Sequence, residues 1–318
     1  AALWNLNRLF DIESRGQVAV LPRYANSVGA EKLGVRPYLS DSLRNELKAI
    51  WGKYPEAEEY NTDAMLARMR KEEITGLFVF GADLMTQYPD RVFAQDGLER
   101  LELLVVADLF ETATTELADV VLPMASWAEY DGSYTNLEGR VQEAEGPIKP
   151  RFESRPAHAI IDAIAERLEI PLFASPEQRT EELNRLLAFD AKPPVPDGYL
   201  KVAATLDDAP ADYPFPLVVG DDPHHCAHLT EKAESLLNFR SEAYVEMSPA
   251  LADELGVADG ETVRVISPVG KVNVPVRISD WLEGRVVFMP RNFAATPVTS
   301  LLMRKQRVDY VRISRLDG

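Results

Sequence analysis

Short apolar runs alternate with amphipathic stretches from the first residues to about Leu187, so the hydrophobic period switches repeatedly between strand and helix spacing. That alternation predicts a parallel sheet covered on both faces by helices. Strands are expected at residues 17–21, 77–80, 102–107 and 119–122, and helices at 41–51, 62–72, 90–100, 156–168 and 176–187. Asp41 and Thr62 are the expected N-caps. Prolines open the last two helices, where a missing N–H costs nothing.

Six prolines between Asp190 and Pro216 then predict an extended linker, placing one domain at 1–198 and a second at 199–318. Beyond it the pattern is β: runs rich in valine and isoleucine at 215–219, 243–247, 261–267, 271–278, 285–289 and 308–313, separated by turn residues. One helix interrupts them, with Ser248 as N-cap, Pro249 in its first position and Gly256 as terminator. Ser267-Pro-Val-Gly270 closes a hairpin. Five or six strands with one short helix suggest a small closed barrel.

Composition narrows the function classes. The 318 residues are 46% hydrophobic and 27% charged, enough for about two domains with cores of their own. No apolar run is long enough to span a bilayer, and the start has no charged segment followed by a hydrophobic one, so no direct membrane insertion is expected. A single cysteine excludes an internal disulfide, and without Cys-x-x-Cys the sequence offers no iron–sulfur site of its own. The balance of 34 basic against 51 acidic residues, net −17, would repel a phosphate backbone, so no nucleic-acid partner is expected. Apolar positions at helical spacing in 1–10, with no cap before them, look like the middle of an element, and the sequence is expected to be a piece of a longer chain.

Candidate chemistry is sparse. His224, His225, Cys226 and His228 crowd into five residues, and zinc accepts both residue types. Adjacent residues point apart, however, unlike the usual ligand spacing of two or more, so a polar loop with one histidine turned inward is the simpler reading. No Gly-x-Ser-x-Gly occurs, and no base can be assigned to Cys226 as a nucleophile. Gly81 ends a buried strand, where open sheets receive ligands, but lacks the other glycines of a dinucleotide fingerprint. The densest polar segment, 118–142, is expected to project Thr135, Asn136, Glu138 and Arg140 from turns at Asp131-Gly132 and Asn136. Such groups past a strand end suit a polar ligand, or equally the loop's own backbone.

Residues 118–123 with Glu129, Asp131-Gly132, Thr135-Asn136, Glu138, Arg140 and Gln142 resemble the signature of the molybdopterin oxidoreductase superfamily, which includes formate dehydrogenases. Gly81 and Asp108-Leu-Phe-Glu-Thr112 extend the likeness upstream, and Gly220, His228-Leu-Thr230, Tyr244-Val-Glu-Met-Ser-Pro249, Asp259-Gly260 and Val287-Phe-Met-Pro290 extend it downstream. The resemblance implies an α/β fold with Rossmann-like parallel-sheet domains followed by a double-psi β-barrel. Within the superfamily, Tyr24-Ala-Asn-Ser-Val-Gly29, Gly34-Val35 and Thr135-Asn-Leu-Glu-Gly-Arg-Val-Gln142 resemble the large iron–sulfur subunits of bacterial NADH:quinone oxidoreductase, respiratory complex I.

That second resemblance implies a part in electron transfer from NADH to quinone, with other peripheral-arm subunits as partners, on the cytoplasmic side of the inner membrane. It also implies iron–sulfur clusters upstream of this region, and here a structural module with no catalytic residue, metal or cofactor of its own. The inherited cofactor positions would be Gly81, Asp108, Thr112, Asn136, Glu138, Arg140, Gly220, His228 and Thr230, vacant in this chain. Two departures fit vacancy: Gly81-Ala82-Asp83-Leu84 where cofactor binders have Asn-Pro, and the run 294–300 where they carry an amide. The alternative is a true molybdopterin oxidoreductase such as a formate dehydrogenase, in which Gly81, Asn136, His228 and Thr230 hold molybdopterin guanine dinucleotide.

Overall fold

The computed structural model describes residues 2–12, 21–22, 24–37, 39–52, 61–170, 172, 175–189, 209–239 and 241–316. Its strands are β1 (Gly76–Phe80), β2 (Leu103–Asp108), β3 (Val120–Pro123), β4 (Gly132–Thr135), β5 (Val141–Ala144), β6 (Phe215–Gly220), β7 (Val245–Met247), β8 (Thr262–Ile266), β9 (Lys271–Ile278), β10 (Val287–Pro290) and β11 (Asp309–Arg315). They form a three-stranded sheet in the order β1-β2-β3, the hairpin β4-β5, and a closed barrel in the order β10-β6-β11-β8-β9-β7.

The chain divides into two compact units. One comprises Ala1–Ile74, Ala107–Leu109 and Leu122–Ala204; the other comprises Thr75–Val106, Phe110–Val121 and Thr205–Gly318. The boundary expected after residue 198 lies outside the described residues together with most of the proline-rich linker. The barrel unit also takes in 75–106 and 110–121, and side chains explain why. Thr299 donates its hydroxyl to the Thr86 carbonyl, and the Arg304 guanidinium lies 3.4 Å from the Phe93 ring centroid.

In the first unit the helix Asp41–Trp51 buries Leu43 and Leu47 against Leu186 of the helix Pro176–Ala188, with Leu33, Leu39, Ile50 and Phe189 around them. The caps sit one residue earlier than the sequence suggests. Ser40 accepts from the Leu43 N–H at 3.3 Å and Asn61 from the Ala64 N–H at 2.8 Å, which leaves Asp41 and Thr62 inside their first turns. Ser40 and Asn61 are themselves good caps, and Asp41 serves the helix dipole from the first turn. The second of these helices stops at Met69 rather than 72, because Glu72 turns to φ +60. The strand expected at 17–21 lies, except for Leu21, outside the described residues.

The barrel follows the alternation read from the sequence. Val263, Val265, Val274, Val276, Val287 and Val311 all point inward and are essentially buried. Each contributes roughly 1.5–3 kcal/mol of transfer free energy. Its ladders are mixed: β6–β10 and β7–β9 run parallel, while β8–β9, β8–β11, β6–β11 and β7–β10 run antiparallel. The helix Pro249–Leu255 forms as expected, with the Ser248 hydroxyl accepting from the Leu251 N–H at 3.2 Å and Gly256 at φ +65. It plugs the barrel with Leu251 and Ala252, each 1% exposed.

Candidate functional site

Gly81 ends β1 at φ +60, the left-handed conformation that turns the chain sharply toward Asp83. Asp83 is only 3% exposed. Its Oδ1 accepts from the Thr114 hydroxyl at 2.7 Å, and that hydroxyl accepts from the Met85 N–H at 3.0 Å. Thr112 and Thr115 cap one another: Thr112 N–H donates to the Thr115 hydroxyl at 2.7 Å, Thr115 N–H to the Thr112 hydroxyl at 3.2 Å. The Thr112 hydroxyl oxygen thus accepts within its own turn.

From the barrel side, β6 ends at Gly220, where an added Cβ would come within 2.8 Å of the Phe288 ring. The loop that follows is stitched from within. Asp222, 2% exposed, accepts from the His224 N–H at 2.8 Å and the Tyr244 hydroxyl at 3.0 Å. Asn292 donates to the carbonyls of Asp222 and His225, at 2.8 and 2.5 Å. Thr230 accepts from the Cys226 N–H at 2.8 Å. His225 is buried, its Nδ1 2.7 Å from the Asn292 carbonyl oxygen and its ring stacked 3.9 Å from that of Phe293. Its Nε2 is buried without a hydrogen-bond partner among the described residues.

His228 joins the two sides. Its Nε2 lies 3.4 Å from Asp83 Oδ2 and its Nδ1 3.1 Å from Glu231 Oε2, while Glu231 Oε1 accepts from the Ala295 N–H at 3.0 Å. The Phe110 ring stands 6.5 Å away. Of the sequence-derived positions, then, Gly81, Thr112, Gly220, His228 and Thr230 belong to the barrel unit, and His228 among them meets Asp83. The histidine cluster does not converge: His225 is buried, whereas His224 and Cys226 are exposed, and no three His, Cys, Asp or Glu side chains among the described residues are placed to hold a metal.

Asp108, Asn136, Glu138 and Arg140 lie in the first unit. Asp108 Oδ1 accepts from the Leu109 N–H at 2.7 Å. Asn136 Oδ1 accepts from the N–H groups of Glu138 and Arg140 at 3.0 and 2.9 Å, closing the turn between β4 and β5. Thr135 does not project from a loop as expected: it is 2% exposed in β4, its N–H donating to Asn26 Oδ1 at 2.9 Å. The Ser126 N–H bond, at 2.7 Å, holds the Glu129 carboxyl below its usual range. Most polar side chains of this segment with described partners thus satisfy backbone.

Sequence reading missed Asp83, Thr114, Asp222 and Asn292. A carboxyl directly after a strand-end glycine was the available signal for Asp83. Asn292 lies just before the stretch 294–300, whose own residues include no amide, so an amide does serve this loop, bound to backbone carbonyls.

Burial first, then the hydrogen bond to Asp222, pushes the Tyr244 phenol up to about 12. An unfolded tyrosine ionises near ~10, so the neutral phenol contributes stability that is present below that pH and lost as pH rises through the folded value. In an alkaline titration followed by ultraviolet absorbance, a last tyrosine is expected to ionise near 12, and Tyr244→Phe to remove it. A titration unchanged by that substitution would contradict the assignment.

The family model "Molybdopterin oxidoreductase" matches residues 1–167, and "Molydopterin dinucleotide binding domain" matches 220–314. The chain is 32% identical to an NADH-quinone oxidoreductase subunit of Rhizobium meliloti (strain 1021), over 88% of this chain and 36% of that protein. It is 30% identical to the corresponding NADH-quinone oxidoreductase subunit of Streptomyces coelicolor, over 88% and 34%. It is also 30% identical to the F420-dependent formate dehydrogenase subunit alpha of Methanocaldococcus jannaschii, over 70% and 39%. The chain spans about a third of the length of these curated relatives. Acetylene hydratase from Pelobacter acetylenicus shares the fold, with a TM-score of 0.64 at 15% identity, covering 90% of this chain and 52% of that one.

Proposed function

The chain belongs to the molybdopterin oxidoreductase family, and from that premise we propose that it is part of the large iron–sulfur subunit of a bacterial NADH:quinone oxidoreductase. In that role it is a structural module of the peripheral arm on the cytoplasmic face, with a double-psi barrel, binding neighbouring subunits while electron transfer runs through clusters elsewhere in the polypeptide. It holds no pterin. The two NADH-quinone oxidoreductase relatives align over 88% of this chain at 30–32% identity, against 81% at 28% identity for a putative formate dehydrogenase of Staphylococcus aureus, a modest support for the complex I reading. Among the described residues no helix is long and apolar enough to cross a membrane.

The observation that supports the empty-site reading is that three of the proposed cofactor positions, with the neighbouring Asn292, bond the chain's own backbone. The Thr112 hydroxyl, the Thr230 hydroxyl and the Asn136 amide oxygen accept backbone N–H groups, and the Asn292 amide nitrogen donates to two backbone carbonyls. A buried polar guest would have to displace these bonds, each worth about 0.5–1.5 kcal/mol, and leave buried groups unpaired. Residues so committed do not fit a pyrophosphate-bearing pterin.

The test is elemental and chemical analysis of the full-length polypeptide purified in its native complex. Iron and sub-stoichiometric molybdenum are expected, with no fluorescent pterin after oxidative extraction. Stoichiometric molybdenum with a guanine nucleotide would overturn this reading and establish the formate dehydrogenase-like alternative.

A further inference from the structure

The first unit contains a cavity of about 620 Å³ lined by none of the proposed cofactor positions. Leu122 and Pro123 form one wall at the carboxyl end of β3. The helix Ala157–Arg167 forms the opposite wall with Ile160, Ala163, Ile164 and Arg167, spaced to share one face. The connecting turn contributes the rim, Phe152 to Arg155.

That turn is built rather than loose. Ser154 donates both its N–H and its hydroxyl to the Arg151 carbonyl, at 3.1 and 2.7 Å, and Arg155 is clamped to the strand end through Pro123 O at 3.1 Å and Ala125 N at 2.8 Å. Phe152 is held at φ +54, a conformation that costs a non-glycine residue roughly 1–2 kcal/mol, with its ring fully exposed. Strain of this kind concentrates at sites of use.

The rim carries positive charge without a partner among the described residues. With a net charge of −17, most arginines with described partners sit on carboxylates: Arg44, Arg68, Arg100, Arg179, Arg185 and Arg285 are examples. Arg155 and Arg167 have no ion pair among the described residues, although Glu153 shares the rim. Two unpaired guanidinium groups thus border an apolar floor.

We infer that this cavity binds a small amphipathic anion, an apolar body carrying one carboxylate or phosphate head. The volume lies within the ~300–1,000 Å³ common for ligand sites. Open α/β sheets take ligands at the carboxyl ends of their strands, where Leu122 and Pro123 stand. Guanidinium forks match a carboxylate or phosphate head. The apolar floor disfavours an ion that is polar throughout. The assignment goes beyond the structural-module reading and does not depend on it, since none of the proposed pterin positions contributes.

Decanoate and decanol, added to the full chain and followed by displacement of anilinonaphthalene sulfonate fluorescence, test it. Decanoate is expected to bind, and Arg155→Ala/Arg167→Ala to weaken it about tenfold or more, since hydrogen bonds to charged groups contribute about 1.5–3 kcal/mol. Both arginines are exposed, so the variant is expected to keep its melting temperature. A second variant, Ala163→Leu, intrudes on the floor and is expected to weaken decanoate and decanol alike. Decanoate affinity unchanged by the double substitution, or decanol bound as tightly as decanoate, would overturn the inference. So would retention on phosphatidylglycerol vesicles without binding of free decanoate, which would assign the arginines to a lipid surface.

Discussion

Gly270→Ala is expected to destabilise the barrel by about 3 kcal/mol, the upper end for forcing a methyl into packed structure. An added Cβ would stand 2.2 Å from the Ser300 carbonyl oxygen and 3.0 Å from its carbon. Backbone cannot swing aside as a side-chain tip can. Ser300 lies in the 3-10 turn Val298–Leu301, whose Val298 and Leu301 are fully buried. On its own side, Gly270 is held by the Ser267 hydroxyl, which accepts its N–H at 3.1 Å, and by Ser267 N–H, which donates to its carbonyl at 2.9 Å. Gly256→Ala provides the contrast: φ is +65 but the space is open, so only the left-handed backbone cost of roughly 1–2 kcal/mol applies. Urea midpoints for the two variants measure the difference, and equal losses would contradict the steric account.

The barrel was legible because its strands alternate in sequence and its helix carries complete punctuation. Ser248, Pro249 and Gly256 each occupy the position their local chemistry favours, and Lys271–Ile278 forms over the full expected range. Such features depend on neighbours in sequence. The hairpin of β4 and β5 was not legible, because Gly-Ser-Tyr-Thr and Val-Gln-Glu-Ala carry no marked strand pattern. It is fixed from afar by Asn26, which donates to Ser133 O at 3.2 Å and accepts from the Thr135 N–H. Gly29 records the closeness of that approach, since a Cβ there would meet Thr135 Oγ1 of the hairpin at 2.9 Å.

The same distinction separates the positions of the candidate site from its content. Gly81, His228 and Thr230 could be picked out by motif, but motif could not say which atoms their side chains meet. Asp83 sits 31 residues from Thr114 and 145 from His228, and no local pattern encodes either contact. In sequence this acidic residue is only a departure from the family pattern, whereas in the fold it is the centre of the polar cluster. A resemblance located the positions, and only folding showed which backbone groups and side chains they meet.

The contact between Asp83 and His228 makes the second large effect a coupled one. His228→Ala is expected to cost about 2–3 kcal/mol, because it leaves the buried Asp83 carboxyl facing a gap; breaking a fully buried pair costs about 3–5 kcal/mol. The lower figure reflects a His228 side chain that is 22% exposed and a 3.4 Å contact with Asp83. Asp83→Asn keeps the shape and an acceptor for Thr114 while removing the charge opposite the imidazole. In a double-mutant cycle read from urea denaturation, the two substitutions together are expected to cost less than their sum by about 1 kcal/mol, within the range seen for residues in one network. Unchanged denaturant slopes would show that the same folded state is being compared. Additive losses would mean that His228 and Asp83 act separately, and would contradict their assignment to one network. A measured coupling ties the turn after β1 to the loop after β6 by side chains alone, the behaviour required of a cofactor fold kept as scaffolding.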